Sequence, residues 1–263
     1  MKKIISILMV LMILVGSSIQ SYASTQALQA DTDNGLVRVQ LDDVDGAKML
    51  LLVEKDGVRY SYPITDTDIN QFPLQLGNGN YLVRIMQNTT GNSYKELSRI
   101  DVTLELENNN NVFLASIQDI EFDDTSLPIV KAKALTKGLK NDIDKVKAIY
   151  NYVNQNIKYD YTKAKNVKSG YFPDIESTYI TNTGICYDYA SIVAAMLRSV
   201  GIPTKLIKGY SIPTKDIYHA WNEVYVDDEW KIIDTTVDSA YVQANLSTKM
   251  FKSFTDYKAS KMY

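Results

Sequence analysis

The spacing of the apolar residues changes near Ser126, and this change limits what the chain can fold into. Before it, apolar and polar residues alternate in short runs such as 37–41 and 100–106, a pattern typical of half-buried β-strands. After it, apolar residues recur every three or four positions, as on one face of a helix. We therefore predict an α+β protein, in which an all-β, sandwich-like module at residues 35–120 precedes a mixed domain at residues 121–263.

The amino-terminal module is predicted to contain about seven short strands separated by turn residues. Asp56-Gly57 lies between two of the alternating runs and is a strong hairpin signal. Residues 112–116 are the last predicted strand, and residues 24–34 are interpreted as a polar spacer. The module has no titratable cluster, glycine-rich phosphate loop or metal-ligand spacing. Its favoured interpretation is a spacer or an interaction module.

Residues 1–23 have the pattern of a secretory signal peptide. Two lysines precede the apolar run Ile4–Val15, and Ser21-Tyr22-Ala23 forms a small-x-small cleavage site. The run is short for a bilayer span, although an uncleaved membrane anchor is the alternative. We expect cleavage near Ser24, no stable membrane insertion afterwards, and a secreted or cell-surface location.

Composition excludes several classes of function. The chain has 28 basic and 31 acidic residues, and this mild acidity is spread along it, which argues against a nucleic-acid partner. Its single cysteine, Cys186, cannot form an internal disulfide, so the thiol is either buried and inert or reactive. One cysteine and one histidine cannot supply a usual zinc ligand set, and we expect no metal and no cofactor.

The mixed domain is predicted to begin with two core helices. The first starts near Pro128 and ends at Gly138, and the second starts at Asn141. The next segment, residues 158–185, shows little periodicity and is long for a loop in a compact domain. Because it leads directly to the cysteine, we expect it to form one wall of a substrate cleft, the alternative being a disordered surface excursion.

Cys186 is predicted to open the next helix, which ends before Gly201 and Pro203. The N–H groups and the dipole at a helix N-terminus favour an anion, and they lower the pKa of a thiol that has a charged partner. The same N–H groups could hold the oxyanion of a tetrahedral intermediate. Asp188 is expected to serve the helix end, since a carboxylate beside a thiolate would oppose its ionisation.

The only histidine, His219, and Asp234 are predicted on neighbouring antiparallel strands. A two-residue turn at Asp227-Asp228 would put both side chains on one face, a diagonal step apart and within hydrogen-bonding reach. A three-residue turn would separate them unless a bulge intervened. Asp234 lies in an apolar strand at 230–235, where an unpartnered carboxylate would cost several kcal/mol. We interpret these two residues and Cys186 as a triad for nucleophilic acyl transfer.

At these residues the chain resembles the transglutaminase-like superfamily, which has a papain-like fold of helices packed on an antiparallel sheet. Four stretches match the family's motifs in order and spacing, namely GICYDYA (184–190), LRSVGIP (197–203), HAWNEV (219–224) and WKIIDTT (230–236). The resemblance covers about residues 125–240. It implies Cys186 as the nucleophile, His219 as general base and then acid, and Asp234 as the orienting acid.

The triad and the resemblance together favour a cysteine-dependent acyl-transfer enzyme that acts on amides through a thioester, and the signal-peptide pattern predicts that it is exported. The extracellular location suggests proteins or cell-wall peptides as substrates. Water as acceptor would make it a peptidase or amidase, and a lysine amine would make it a cross-linker; the triad serves both. A non-catalytic binding or scaffold protein that kept the fold is the alternative. Animal members of the family place an aromatic oxyanion donor upstream of the cysteine, for which Tyr159 and Tyr161 are the candidates here.

Overall fold

The computed structural model describes residues 27–41, 46–64, 70–215 and 217–263. It confirms the α+β class, with a β-rich amino-terminal part followed by helices and an antiparallel sheet. The predicted signal peptide lies outside the described residues. Within those residues, no helix is both long enough and apolar enough to cross a membrane.

The amino-terminal part consists of two antiparallel sheets. Its strands are β1 (Ala27–Asp31), β2 (Leu36–Gln40), β3 (Met49–Lys55), β4 (Val58–Ile64), β5 (Asn70–Pro73), β6 (Gly79–Thr90) and β7 (Ser93–Leu104). One sheet has the order β1-β2-β5 and the other the order β4-β3-β6-β7. Alternate side chains of both sheets, such as Val37 and Val39 of β2 and Leu51 and Val53 of β3, are buried in one core.

Two segments of this part differ from the sequence prediction. Residues 27–31, inside the segment interpreted as a spacer, form β1 and pair with β2. Asn109–Leu114 forms a 3-10 helix where a strand was predicted at residues 112–116. The reason is local, because the side chain of Asn108 accepts a hydrogen bond from the N–H of Asn110 and caps the turn.

The carboxyl-terminal part packs helices against an antiparallel sheet of order β12-β11-β10-β13. Its helices are α1 (Leu127–Thr136), α2 (Asp142–Asn156), α3 (Tyr161–Asn166), α4 (Ile175–Thr181), α5 (Cys186–Arg198) and α6 (Thr235–Gln243). Its strands are β8 (Lys158–Tyr159), β9 (Thr183–Gly184), β10 (Thr204–Ser211), β11 (Tyr218–Val226), β12 (Glu229–Ile233) and β13 (Tyr257–Met262). Helix α5 is the centre of this part, and every residue from Asp188 to Arg198 is buried.

The segment at residues 158–185 is more regular than its sequence suggested. It contains α3, α4 and a small parallel sheet of β8 and β9. Asp160 and Asp174 cap the two helices by accepting hydrogen bonds from the N–H groups of Lys163 and Ser177. The helices have six and seven residues, too few to show an apolar stripe, so periodicity could not reveal them.

The two parts are joined by a buried polar contact as well as by apolar packing. Arg198, the last residue of α5, is only 3% exposed and donates to three backbone carbonyls. Its acceptors are the carbonyl oxygens of Ala115 at 2.6 Å, Thr204 at 2.8 Å and Tyr263 at 3.1 Å. Ala115 lies between the β-rich part and α1, so this side chain ties the connecting segment to the central helix.

Candidate active site

Cys186 is the first residue of α5, as the sequence predicted. Ile185 before it is extended, and its N–H donates to Asp188 Oδ2 at 2.8 Å. The thiol is partly exposed. N–H groups in the first turn of a helix have no intrahelical acceptor. Cys186 therefore lies where backbone donors and the helix dipole favour negative charge.

His219 and Asp234 meet as the predicted strand register requires. Asp227 and Asp228 form the two-residue turn with positive φ angles of 54° and 59°, which is the type I′ conformation. This turn keeps β11 and β12 in the predicted pairing. His219 Nε2 lies 2.8 Å from Asp234 Oδ2, and both side chains are buried.

Asp234 does not lie inside the strand, as the sequence analysis expected, but follows β12 as the N-cap of α6. Its Oδ1 accepts a hydrogen bond from the N–H of Val237 at 3.1 Å. Its Oδ2 accepts from His219 and from the hydroxyl of Tyr257, the latter at 3.0 Å. Aspartate is a preferred N-cap residue, and three donors compensate for burying its carboxylate.

The electrostatics of His219 favour its protonated form. Burial alone would lower its pKa, but hydrogen bonds to Asp234 and Cys186 outweigh burial and raise the pKa from 6.5 to about 10. Because Nε2 is bonded to Asp234, the other ring nitrogen, Nδ1, is left for Cys186. His219 therefore contacts the Asp234 carboxylate on one side and lines the pocket that contains the Cys186 thiol.

Tyr257 is a site residue that the sequence analysis missed. It lies on β13, the strand that pairs with β10, and its ring packs edge-on against Trp221 with centroids 5.0 Å apart. The Trp221 ring in turn lies beside His219, at 6.2 Å between centroids. Gly209 makes this packing possible, since a β-carbon there would lie 2.9 Å from the Trp221 ring. Nothing in the spacing of the 19 tyrosines points to this one.

Cys186 and His219 line one pocket, with a volume of about 540 Å³. Residues from the segment 158–185 form one wall of it, including Tyr159 and the loop 167–171. Residues at the start of β11 form the opposite wall. Of the two tyrosines suggested as oxyanion donors, Tyr159 lines the pocket, whereas Tyr161 is 70% exposed and does not.

Asp188 holds the first wall to the start of α5. Besides the N–H of Ile185, it accepts from Lys163 at 2.7 Å and from the hydroxyl of Tyr171. Lys163 belongs to α3, and Tyr171 is the last residue of the loop 167–171 that lines the pocket. The acid therefore serves the helix end, as predicted, and also fixes the neighbouring wall.

Asp119 is another buried carboxylate near the pocket, in addition to Asp188 and Asp234. No sequence motif predicted its position. It accepts from Lys208 Nζ at 3.0 Å and from the hydroxyl of Tyr187, both of which line the pocket. Its backbone oxygen accepts from Ser191 Oγ of α5 at 3.0 Å. Across the described ranges, no group of three or more His, Cys, Asp or Glu side chains is arranged to hold a metal ion.

Comparison with known proteins bears on the carboxyl-terminal part. Residues 130–235 match the sequence model of the transglutaminase-like superfamily. The UPF0252 protein MJ1282 of Methanocaldococcus jannaschii is 30% identical over 151 residues, covering 51% of this chain and 43% of that protein. The kyphoscoliosis peptidase of Mus musculus is 30% identical over 122 residues, covering 42% of this chain and 18% of that protein.

Among solved structures, a suspected cysteine protease from Cytophaga hutchinsonii covers 91% of this chain and 81% of its own, with 17% identity and a TM-score of 0.44. The alignments span less than half the length of the two relatives from Methanocaldococcus and mouse. The matched family region contains Cys186, His219 and Asp234. The carboxyl-terminal part of this chain therefore belongs to the transglutaminase-like superfamily.

Proposed function

We propose that the protein is an exported cysteine-dependent acyl-transfer enzyme that acts on protein or peptide amides through a thioester. The observation that carries the proposal is the position of His219, which is hydrogen-bonded to Asp234 at 2.8 Å and lines the same pocket as Cys186. Nucleophile, base and orienting acid in contact are the requirement for this chemistry. The proposed export depends on the signal-peptide pattern of residues 1–23.

In the first step, the thiolate of Cys186 attacks the carbonyl carbon of the amide, and the π electrons move onto the oxygen. The free N–H groups at the start of α5 can donate to that oxyanion. We assign the second donor to the hydroxyl of Tyr159, on the pocket wall. Burial and the negative charge of Cys186 raise the pKa of Tyr159 to about 12, so its hydroxyl keeps its proton at neutral pH.

The intermediate then collapses, the C–N bond breaks, and the imidazolium of His219 gives its Nδ1 proton to the leaving nitrogen. The acyl group is left on Cys186 as a thioester. Water or an amine next attacks the thioester carbonyl and gives a proton to Nδ1 of His219, and the sulfur leaves as the thiolate. Asp234 remains ionised throughout and stabilises the imidazolium formed in each cycle.

The first test is the reactivity of Cys186 toward iodoacetamide, followed by intact-protein mass spectrometry. We expect rapid labelling near neutral pH, and labelling of His219→Ala at least about tenfold slower, with the pH midpoint near 8.5 of an ordinary thiol. Cys186→Ser is the blank, because the chain has no other cysteine. Slow labelling that His219→Ala leaves unchanged would favour the non-catalytic scaffold instead.

Product analysis identifies whether water or an amine accepts the acyl group from the thioester. Candidate peptides would be incubated with the protein, with and without an added primary amine, and the masses of the products would be measured by mass spectrometry. Hydrolysed product in both reactions would indicate a peptidase or amidase. Adducts that carry the amine would indicate transamidation. Cys186→Ser, incubated in parallel, identifies any product that does not depend on the thiol.

The raised pKa of His219 predicts the pH dependence of turnover. The imidazolium persists up to its pKa of about 10, and turnover needs it as the acid, so kcat/KM for a cleaved peptide should fall above about pH 10. Alkylation by iodoacetamide needs no proton donor and should not fall there. The same raised pKa stabilises the folded state fully below pH 6.5, and this contribution is lost as pH rises through about 10. A fall in kcat/KM as pH rises through about 6.5 would contradict the assignment of His219 as the acid with a raised pKa.

A further inference from the structure

Exposed apolar side chains are concentrated at the mouth of the pocket. Of the thirteen large apolar residues that are exposed in the described part of the chain, six lie on two short segments, 161–167 and 210–218. We call these six residues the apolar rim: Tyr161, Val167, Tyr210, Ile212, Ile217 and Tyr218. Three of them, Val167, Ile217 and Tyr218, also line the pocket that contains Cys186.

The apolar rim is continuous with the pocket on both sides. On one side, the Tyr161 ring packs edge-on against Tyr159 of the pocket wall, with centroids 5.0 Å apart. On the other side, the Tyr210 and Tyr218 rings pack in the same way at 5.5 Å. Single exposed apolar residues are ordinary, but a contiguous patch beside a pocket marks a binding surface. Covering it would release about 25 cal/mol for each Å² removed from water.

The charges of the pocket limit what can bind there. Among the described residues that line it, the charged ones are Lys168, Lys208 and His219, and none is an aspartate or a glutamate. Three buried carboxylates nearby already have cationic partners, since Asp188 pairs with Lys163, Asp119 with Lys208 and Asp234 with His219. A lysine or arginine brought into the pocket would meet the like charge of Lys168, and the buried carboxylates of the described residues nearby are already paired. A neutral or acidic side chain would not.

We propose that the pocket and the apolar rim bind an extended peptide with a bulky apolar or aromatic residue beside the acyl-donor position, and without a basic residue there. The inference rests on the proposed function, because the acyl carbonyl must reach Cys186. Apolar contacts on both sides of the thiol would hold the chain across the cleft. Lys168 would supply the selection against cationic sequences.

The experiment uses short peptides that carry a thiol-reactive vinyl sulfone, with phenylalanine, glutamate or lysine next to the reactive group. The second-order rate of Cys186 modification is measured by intact mass for each probe and for iodoacetamide, using the full chain. We expect the phenylalanine probe to react fastest and the lysine probe slowest, with about a tenfold or larger ratio between them. Iodoacetamide is too small to contact the rim and reports only on the thiol.

Variants on each side of the pocket separate the rim from the chemistry. Ile217→Ser and Val167→Ser should each lower the ratio of the phenylalanine-probe rate to the iodoacetamide rate about five- to tenfold. Leu246→Ser is the matched control, because Leu246 is an apolar residue outside the pocket lining whose exposed fraction, 57%, lies between those of Val167 and Ile217; it should change neither rate. Fast iodoacetamide labelling with equal rates for the three probes would overturn this inference alone. Slow labelling by iodoacetamide would overturn it together with the proposed function.

Discussion

Asp234→Asn is expected to lower peptide turnover by about a thousandfold or more, and to lower the free energy of unfolding by about 2 kcal/mol. The carboxylate has donors on both oxygens: the N–H of Val237 on Oδ1, and His219 and Tyr257 on Oδ2. An asparagine has one oxygen and one NH₂ group. Whichever way the amide turns, its NH₂ group replaces a carboxylate oxygen that accepts a hydrogen bond in the unchanged protein.

Each orientation of the amide has a distinct cost. If the NH₂ group faces Val237, α6 loses its N-cap bond and stability falls. If it faces His219, the ring must accept at Nε2, so its proton moves to Nδ1 and points at Cys186. In that tautomer the imidazole cannot take the thiol proton, and turnover falls. Peptide kcat/KM and chemical denaturation measure the two effects separately.

Tyr257→Phe is a milder change at the same site, because it keeps the Asp234 carboxylate and removes one of the three groups that donate to it. We expect turnover to fall about tenfold. The basic limb of the pH profile should move upward, since Asp234 with fewer donors attracts the imidazolium of His219 more strongly. Tyr241→Phe, on the exposed face of α6, is the control and should change neither quantity. For the Asp234→Asn variant, a peptide kcat/KM within about threefold of that of the unchanged protein would contradict the assignment of the triad.

The parts of the site that sequence could predict are those set by local signals. Asp227-Asp228 between two alternating runs indicates a two-residue turn, and the turn alone fixes which faces His219 and Asp234 share. The start of α5 at Cys186 follows from the apolar stripe behind it. The order and spacing of the four motifs predicted membership of the transglutaminase-like superfamily, and the comparison with known proteins confirmed it.

The parts that sequence could not predict depend on contacts between distant segments. Tyr257 reaches Asp234 only because β13 pairs with β10, and no turn or spacing specifies that pairing. Asp119 reaches Lys208 because the connecting segment packs against α5. The N-cap role of Asp234 was missed because an acid at the end of an apolar strand has the same local pattern as one inside it. Tyr257, Asp119 and the N-cap role of Asp234 therefore had to be found in the structure.

Arg198→Met is expected to lower the free energy of unfolding by about 3 kcal/mol, through the loss of buried hydrogen bonds. Burial lowers the pKa of Arg198 to about 9, with the charge of Asp119 acting in the opposite direction. The buried guanidinium is compensated by its bonds to the carbonyls of Ala115, Thr204 and Tyr263. Methionine fills similar volume but donates to none of them.

The measurement is equilibrium unfolding in urea, with Arg99→Met on the exposed face of β7 as the control, expected to change stability by less than about 0.5 kcal/mol. Arg198→Lys should recover part of the loss, because an ammonium can reach some of the same carbonyls. If Arg198→Met changed the free energy of unfolding by less than about 1 kcal/mol, the three carbonyl oxygens that accept from Arg198 would have found other donors.

Arg198 also separates the stability of the fold from the chemistry of the site. It is the last residue of α5 and Cys186 is the first, so about 18 Å of helix lies between them at 1.5 Å per residue. Below the unfolding transition, iodoacetamide labelling of Arg198→Met should therefore match that of the unchanged chain. A slower rate would mean that the connecting segment, held by Arg198 at Ala115 and by Ser191 at Asp119, positions the thiol along the whole helix.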